Sequence, residues 1–533
     1  MMHNPWPSLT TAQNWPLEVQ AGQLLMPAAF INDTEDEIRI LEGYIRNHHV
    51  GGLCFFHSRA SAATNFEGKK EIPHNPDSLG TLRALIQRYQ KAAPYPLLMA
   101  IDAEWGLAMR IENGEAYPYA LALGALEDQD PLLYQTGLRM AADCREAGLH
   151  WNLAPVADVN NNPGNPVIGY RSFGSRPESV AQKALALARG MQDGGVLVCA
   201  KHFPGHGNTD TDSHLELPRL GQARAELEAT EFPPFRTLIG QGVDAVMTGH
   251  LAVPALDPTG TPSSLSAPMI QGVLRNAMGF KGAVITDALN MHAVSRIYPE
   301  PGEVALRALL AGNDMLCFVE DLPAAHARIV ARAGKDRIRD AFQKVWALKE
   351  KAFNPKAAPV LPEKDPATLR KELAAASLSP LGAPQPLPSG PGAPAFTLIA
   401  AGAGLDPFVQ ALEHPAVAER LRWDLKRPDA SLPLPAHKDV LLALQPPSLK
   451  PPGRFGMSEA AVAAIIQLRR THRVQLCHFG NPYALQVLGA GGAEGTLLAY
   501  QPLPECQQQA AAFYRGEAPA PGMLPVSLNL ESP

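Results

Sequence analysis

The chain has 533 residues, 46% of them apolar, and a formal net charge of −6 at pH 7. It can therefore bury large cores, exceeds one ordinary domain, and lacks the basic balance that non-specific nucleic-acid binding requires. No apolar run reaches the roughly 18 residues of a membrane-spanning helix.

The opening stretch, MMHNPWPSLTTAQNWPLEVQAG, is polar and Pro-rich, without the basic and apolar blocks of a secretory signal. A cytoplasmic protein is expected, with the periplasm open only if a leader has been removed. Six cysteines occur with no CxxC pair, and Cys54, Cys199, Cys317 and Cys477 lie in apolar runs. Buried free thiols are predicted, not a disulfide framework or a zinc ribbon.

Eight apolar runs then recur in order: 23–30, 50–56, 96–104, 149–159, 196–203, 244–251, 282–289 and 313–319. Helical patterns lie between them. DTEDEIRILEGYIRN starts with an Asp cap at Asp33 and acids in its first turn. RPESVAQKALALARGMQDGG ends at a Gly pair, and in 225–242 a Pro pair should kink or restart the helix. Eight strands alternating with helices predict an α/β fold, a (β/α)8 TIM-type barrel over residues 1–352. Such barrels keep their chemistry at the C-terminal strand ends. Here those ends hold Asp102, Asp158, Lys201 with His202, His250 and Asp287.

Residues 353–394 turn Pro-rich, around a short helical piece at 367–376, and read as a semi-rigid linker. From 395 to 533 the runs FTLIAAG, DVLLALQ, RVQLCHFG and GTLLAYQ alternate with helix-like segments. A smaller α/β layered domain with a parallel sheet, an αβα sandwich, is predicted. It holds neither GxGxxG nor a P-loop, so no nucleotide site is expected.

The densest chemistry is KHFPGHGNTDTDSH, Lys201 to His214, which follows the apolar VLVCA. In an extended loop Asp212 and His214 point the same way, so the carboxylate can orient the imidazole and raise its pKa as a general acid or base. Asp287 in VITDAL sits on a rigid strand end, as a nucleophilic carboxylate should. One carboxylate with one proton donor is the minimum set for retaining glycoside cleavage.

With KHFPGHGNTDTDSHLELP, VIGYRSFGSRPE and VMTGHLAVPALDPTGTPSSLS in place, the chain resembles glycoside hydrolase family 3 in its β-N-acetylhexosaminidase branch, over roughly residues 21–350. GMLPVSL near the end resembles the close of two-domain members. The resemblance implies Asp287 as nucleophile, His214 as acid/base and Asp212 as its dyad partner. It implies sugar contacts from Asp102, Arg110, Arg171, Lys201 and His202, with His206 organising the loop and Asp257 in a supporting role. Two departures stand out. The family's DQEGGRVxR reads DAEWGLAMR here, with Leu107 at the middle arginine, and Ala288 replaces a second acid after Asp287.

The implied reaction removes terminal β-linked N-acetylglucosamine from cell-wall (muropeptide) or chitin-type saccharides through a glycosyl-enzyme intermediate. No metal or organic cofactor is expected, and the partner is a small carbohydrate. Monomer and homodimer both stay open. Three alternatives remain: a phosphorylase, whose histidine acid would not repel incoming phosphate; a metal-dependent barrel hydrolase using His202, His206, Asp212 and His214; and a non-catalytic sugar-binding module.

Overall fold

The computed structural model describes residues 8–57, 74–211, 217–426, 432–489 and 495–529. Asp212 and His214 lie outside the described residues. The chain divides into two compact units: Met1–Tyr117, Leu133–Asp158 and Ala184–Lys364 form one, and Pro118–Leu132, Val159–Lys183 and Asp365–Pro533 the other.

In the first unit every apolar run contains a strand. These are β1 (Leu25–Met26), β2 (Ala28–Phe30), β3 (Gly52–Phe56), β4 (Leu98–Ile101), β5 (Trp151–Asn152), β6 (Leu197–Phe203), β7 (Ala245–Thr248), β8 (Ala283–Thr286) and β9 (Leu316–Cys317). Strands β2 to β8 pair in parallel, in chain order. β1 pairs in parallel with β9. The sheet curls, and bonds reach that pair from both ends of it: Gly51 N, just before β3, donates to Leu25 O at 3.0 Å, and Thr286 N of β8 to Met315 O, just before β9, at 3.1 Å. β4, β6, β7 and β8 are buried throughout. Their continuous apolar sequences suit parallel strands covered on both faces.

Local chemistry sets the helix ends. The first long helix, Glu35–His48, is capped by Thr34, not Asp33: the Thr34 hydroxyl accepts from Glu37 N, and the Glu37 carboxylate accepts from Thr34 N at 2.8 Å. The Pro pair restarts a helix at Phe232, giving Arg224–Ala229 and Phe232–Gly240. All six cysteines are buried and free.

The second unit holds β10 (Ser379–Leu381), β11 (Phe396–Ala401), β12 (Val417–Trp423), β13 (Asp439–Leu444), β14 (Arg473–His478) and β15 (Thr496–Leu498). Their order is β10-β15-β14-β13-β11-β12, parallel except for β10, which runs antiparallel to β15. Alternation along the strands feeds two cores. Ile399, Ala401, Leu442 and Leu444 pack with Ile465 and Leu468 of helix Glu459–Thr471. Leu398, Ala400, Leu441 and Ala443 pack with Phe408, Ala510 and Tyr514 of helices Asp406–Ala411 and Pro504–Tyr514.

Within 353–394, where composition predicts a linker, Pro366–Ser377 is a helix capped by Asp365, with Leu369, Leu373 and Ala374 buried, and β10 follows it. The early segments of this unit are bound to its C-terminal part. Tyr483 Oη donates to Asn160 O at 3.0 Å, Ser175 N to Pro525 O at 3.0 Å, and Tyr119 N to Gln501 Oε1 at 2.7 Å.

Candidate active site

The C-terminal ends of β4 and β6 bring four charges together. Lys201 Nζ lies 2.7 Å from Asp102 Oδ1 and 2.7 Å from Glu104 Oε1, and Arg110 Nη2 lies 3.2 Å from Asp102 Oδ2. Two cations balance two carboxylates, the condition under which such a group tolerates burial. Burial pushes the Asp102 carboxyl up, but the charges of Lys201 and Arg110 outweigh it and hold it below its ordinary value. Asn152 at the end of β5 fixes the backbone between the two acids, accepting from Ala103 N at 3.1 Å and donating to Ala103 O at 3.0 Å.

Side-chain exposure sorts these residues. Asp102 and Arg110 keep 17% and 23%, whereas Lys201 and Glu104 keep 2% and 4%. Asp102 and Arg110 keep solvent-accessible atoms, and the buried Lys201 pairs with both Asp102 and Glu104. Sequence reasoning passes over Glu104. The signal was there, since residues two apart at a strand end face the same side.

His202 is the penultimate residue of β6. Its Nδ1 donates to Asp158 Oδ2 at 2.7 Å, and its backbone N to Asp158 Oδ1 at 3.1 Å. His206 N donates to the same Oδ1 at 2.8 Å. Burial pushes Asp158 up, but the imidazoles of His202 and His206 and these N–H donors bring it below its ordinary value. A carboxylate acceptor requires the proton on Nδ1 of His202, so Nε2 presents a lone pair when the ring is neutral. The Thr209 hydroxyl donates to His206 O at 3.0 Å, so His206 Nδ1 must be the donor in its 2.7 Å contact with that hydroxyl. These bonds tie His206 to Thr209 in the turn after β6.

Asp287 follows β8 directly and is half-buried. Its N donates to Thr248 O at 2.9 Å, and its Oδ1 accepts from Ala288 N at 2.7 Å. His250, just beyond β7, braces the next residue: Nε2 donates to Ala288 O at 3.0 Å, which leaves Nδ1 to accept from Ser264 Oγ at 2.7 Å. Asp257 fastens the same loop through Ser266 Oγ and Thr259 Oγ1, both at 2.6 Å. Burial raises the Asp257 carboxyl, and those hydroxyls bring it below its ordinary value.

Asp102 follows β4 and Asp287 follows β8, two strands of one parallel sheet, with β6 and its buried Cys199 between them. Burial pushes the Cys199 thiol up, the Lys201 ammonium opposes that, and the carboxylates of Asp102, Asp244 and Asp287 add to it. The Cys54 thiol and burial push Cys317 in β9 up.

Arg171 belongs to the second unit, at the end of the short helix Gly169–Arg171, where its N donates to Ile168 O at 2.7 Å and its Nη1 to Val167 O at 3.3 Å. Among the described residues no cluster of three or more His, Cys, Asp or Glu could hold a metal, and no helix is long and apolar enough to cross a membrane.

Known proteins resemble this chain along most of its length. The glycosyl hydrolase family 3 N-terminal domain matches residues 16–348. A β-hexosaminidase of Alkalilimnicola ehrlichii is 37% identical over 297 residues, 55% of this chain and 80% of the relative. One from Tolumonas auensis is 40% identical over 277 residues, 51% of this chain and 76% of that protein. The structure of a family 3 β-N-acetylglucosaminidase from a Paenibacillus species superposes with a TM-score of 0.77 at 28% identity, covering 97% of this chain and all of that one. The chain belongs to glycosyl hydrolase family 3 and is a glycoside hydrolase.

Proposed function

We propose that the protein is a retaining exo-β-N-acetylglucosaminidase acting on terminal β-linked N-acetylglucosamine of cell-wall or chitin-type saccharides. The observation that supports this most is the placement of Asp102 and Asp287 at the C-terminal ends of β4 and β8 in one curled parallel sheet. The similarity to β-hexosaminidases and to a β-N-acetylglucosaminidase gives the sugar class. The reading takes residues 1–352 as a (β/α)8 barrel that carries the chemistry, and 395–533 as an α/β layered domain.

In this reading Asp287 attacks the anomeric carbon while His214, oriented by Asp212, protonates the departing oxygen. The same histidine then deprotonates water, which releases the sugar with net retention. Asp102 and Arg110 bind hydroxyls, His202 adds a further sugar contact, and Lys201 holds the Asp102 carboxylate in place. The Ala288 N–H on Asp287 Oδ1 helps to fix the orientation of that carboxylate.

The test is turnover of a chromogenic β-N-acetylglucosaminide beside the matching β-glucoside, in wild type and Asp287→Ala. Cleavage of the first substrate, lost by roughly three or more orders of magnitude in the variant, is expected. Equal or better cleavage of the glucoside would sink the sugar assignment. Retention of activity in Asp287→Ala would sink the nucleophile.

A further inference from the structure

Going round the sheet from Asp287 to Asp102 by the short way crosses β9, β2 and β3. The ends of these strands carry Phe318, Phe30 and Phe56. The three rings touch, with centroids 5.4 Å apart for Phe56–Phe318, 5.8 Å for Phe30–Phe318 and 6.0 Å for Phe30–Phe56. The arc is tied to Asp102, because the guanidinium of Arg110 lies 5.3 Å over the Phe56 ring while its Nη2 bonds Asp102. Phe30 is buried, whereas Phe56 and Phe318 are only half-buried. Phe318 has φ 54°, a left-handed backbone that a bulky residue adopts at a cost. Its N still donates to Met26 O at 2.9 Å. Nothing in the packing of a core requires an aromatic ring at such a position.

We propose that Phe56 and Phe318 form a stacking wall for the C–H face of the pyranose ring held between Asp102 and Asp287. The inference rests on the sugar-cleaving reading above. A ring face carries negative charge density and takes the weakly positive C–H edges of a sugar, while offering its hydroxyls no partner. The hydroxyls therefore turn to Asp102 and Arg110, and the wall fixes which face of the ring lies down.

The experiment uses the full chain with Phe318→Gly and Phe318→Tyr. Glycine suits the left-handed backbone, so the first change removes the ring without adding strain. With the chromogenic N-acetylglucosaminide, KM is expected to rise about 5- to 10-fold in Phe318→Gly, with kcat within about three-fold, and Phe318→Tyr to stay within about two-fold of wild type. Titration with N-acetylglucosamine, read by calorimetry, should show the same rise in Kd. That readout needs no turnover, so an inactive wild type would defeat the hydrolase reading while still testing the wall. Unchanged KM and Kd in folded Phe318→Gly, or a Tyr variant as impaired as the Gly variant, would overturn the proposal. If Phe318→Gly does not fold, Phe318→Leu keeps apolar volume without an aromatic face, and unchanged binding there overturns it equally.

Discussion

Replacing Lys201 by methionine isolates the charge balance beneath Asp102. The ammonium is 2.7 Å from two carboxylates and almost fully buried. Its removal leaves Asp102 and Glu104 facing each other with Arg110 alone, and Arg110 touches only Asp102 in this group. Breaking a buried pair in this way costs about 3–5 kcal/mol. At roughly 2 °C per kcal/mol for a large unit, that is about 6–10 °C of Tm. The sign of the pH dependence is opposite in the two proteins. In wild type the Asp102 pKa is lowered, so its contribution is full above the ordinary carboxylate pKa and is lost as pH falls through the folded value. In Lys201→Met the two acids repel, their folded pKa values rise, and the variant gains stability as pH falls and they take up a proton. Scanning calorimetry at pH 7.5 and pH 5.5 should therefore show a gap that narrows at the lower pH. Adding Glu104→Gln should recover most of the loss, since one carboxylate then matches one guanidinium. A Tm within about 2 °C of wild type at pH 7.5, or a gap independent of pH, would refute the idea that charge compensation holds this cluster.

Asp158→Asn should cost about 2–3 kcal/mol by urea unfolding, because a charged acceptor of His202 and His206 is lost. The deficit should be constant above about pH 4 and shrink only below it, since the wild-type pKa is lowered. His250→Ala should leave Ala288 O without its donor and reduce kcat about 10- to 100-fold through misplacement of Asp287. His250→Gln, which restores an N–H, should recover part of it, and equal losses in both variants would remove His250 from this role. Prolonged chelation should leave kcat/KM unchanged, and added inorganic phosphate should yield free sugar and not a sugar 1-phosphate. Either contrary result would favour a metal-dependent hydrolase or a phosphorylase, respectively.

The strands of the first unit were legible because they are buried along their whole length, and such strands write themselves as apolar runs. β12 was missed for the opposite reason. VAERLRW is an edge strand whose three charged residues, Glu419, Arg420 and Arg422, are exposed or half-exposed, so it has no continuous apolar run to mark it. Asp102, Lys201, His202 and Asp287 were legible as polar residues closing apolar strands. The pairing of Asp102 with Lys201 was not, because they lie 99 residues apart and only the adjacency of strand ends unites them. The left-handed turn at Phe318 leaves no trace in FVED, since phenylalanine does not ordinarily announce positive φ.

The second unit is assembled from three separated pieces of chain, and this bears on synthesis and on truncation. Asn160 leaves the ribosome 323 residues ahead of Tyr483, a wait of roughly 15–65 s at ordinary elongation rates. Throughout that interval Leu121, Ala122, Ala125 and Tyr170, which end in one core with Tyr483 and Val526, have no finished surface to cover them. They are a standing invitation to chaperones and to misassembly. A cut in the Pro-rich stretch, where composition suggests a clean boundary, would make that interval permanent.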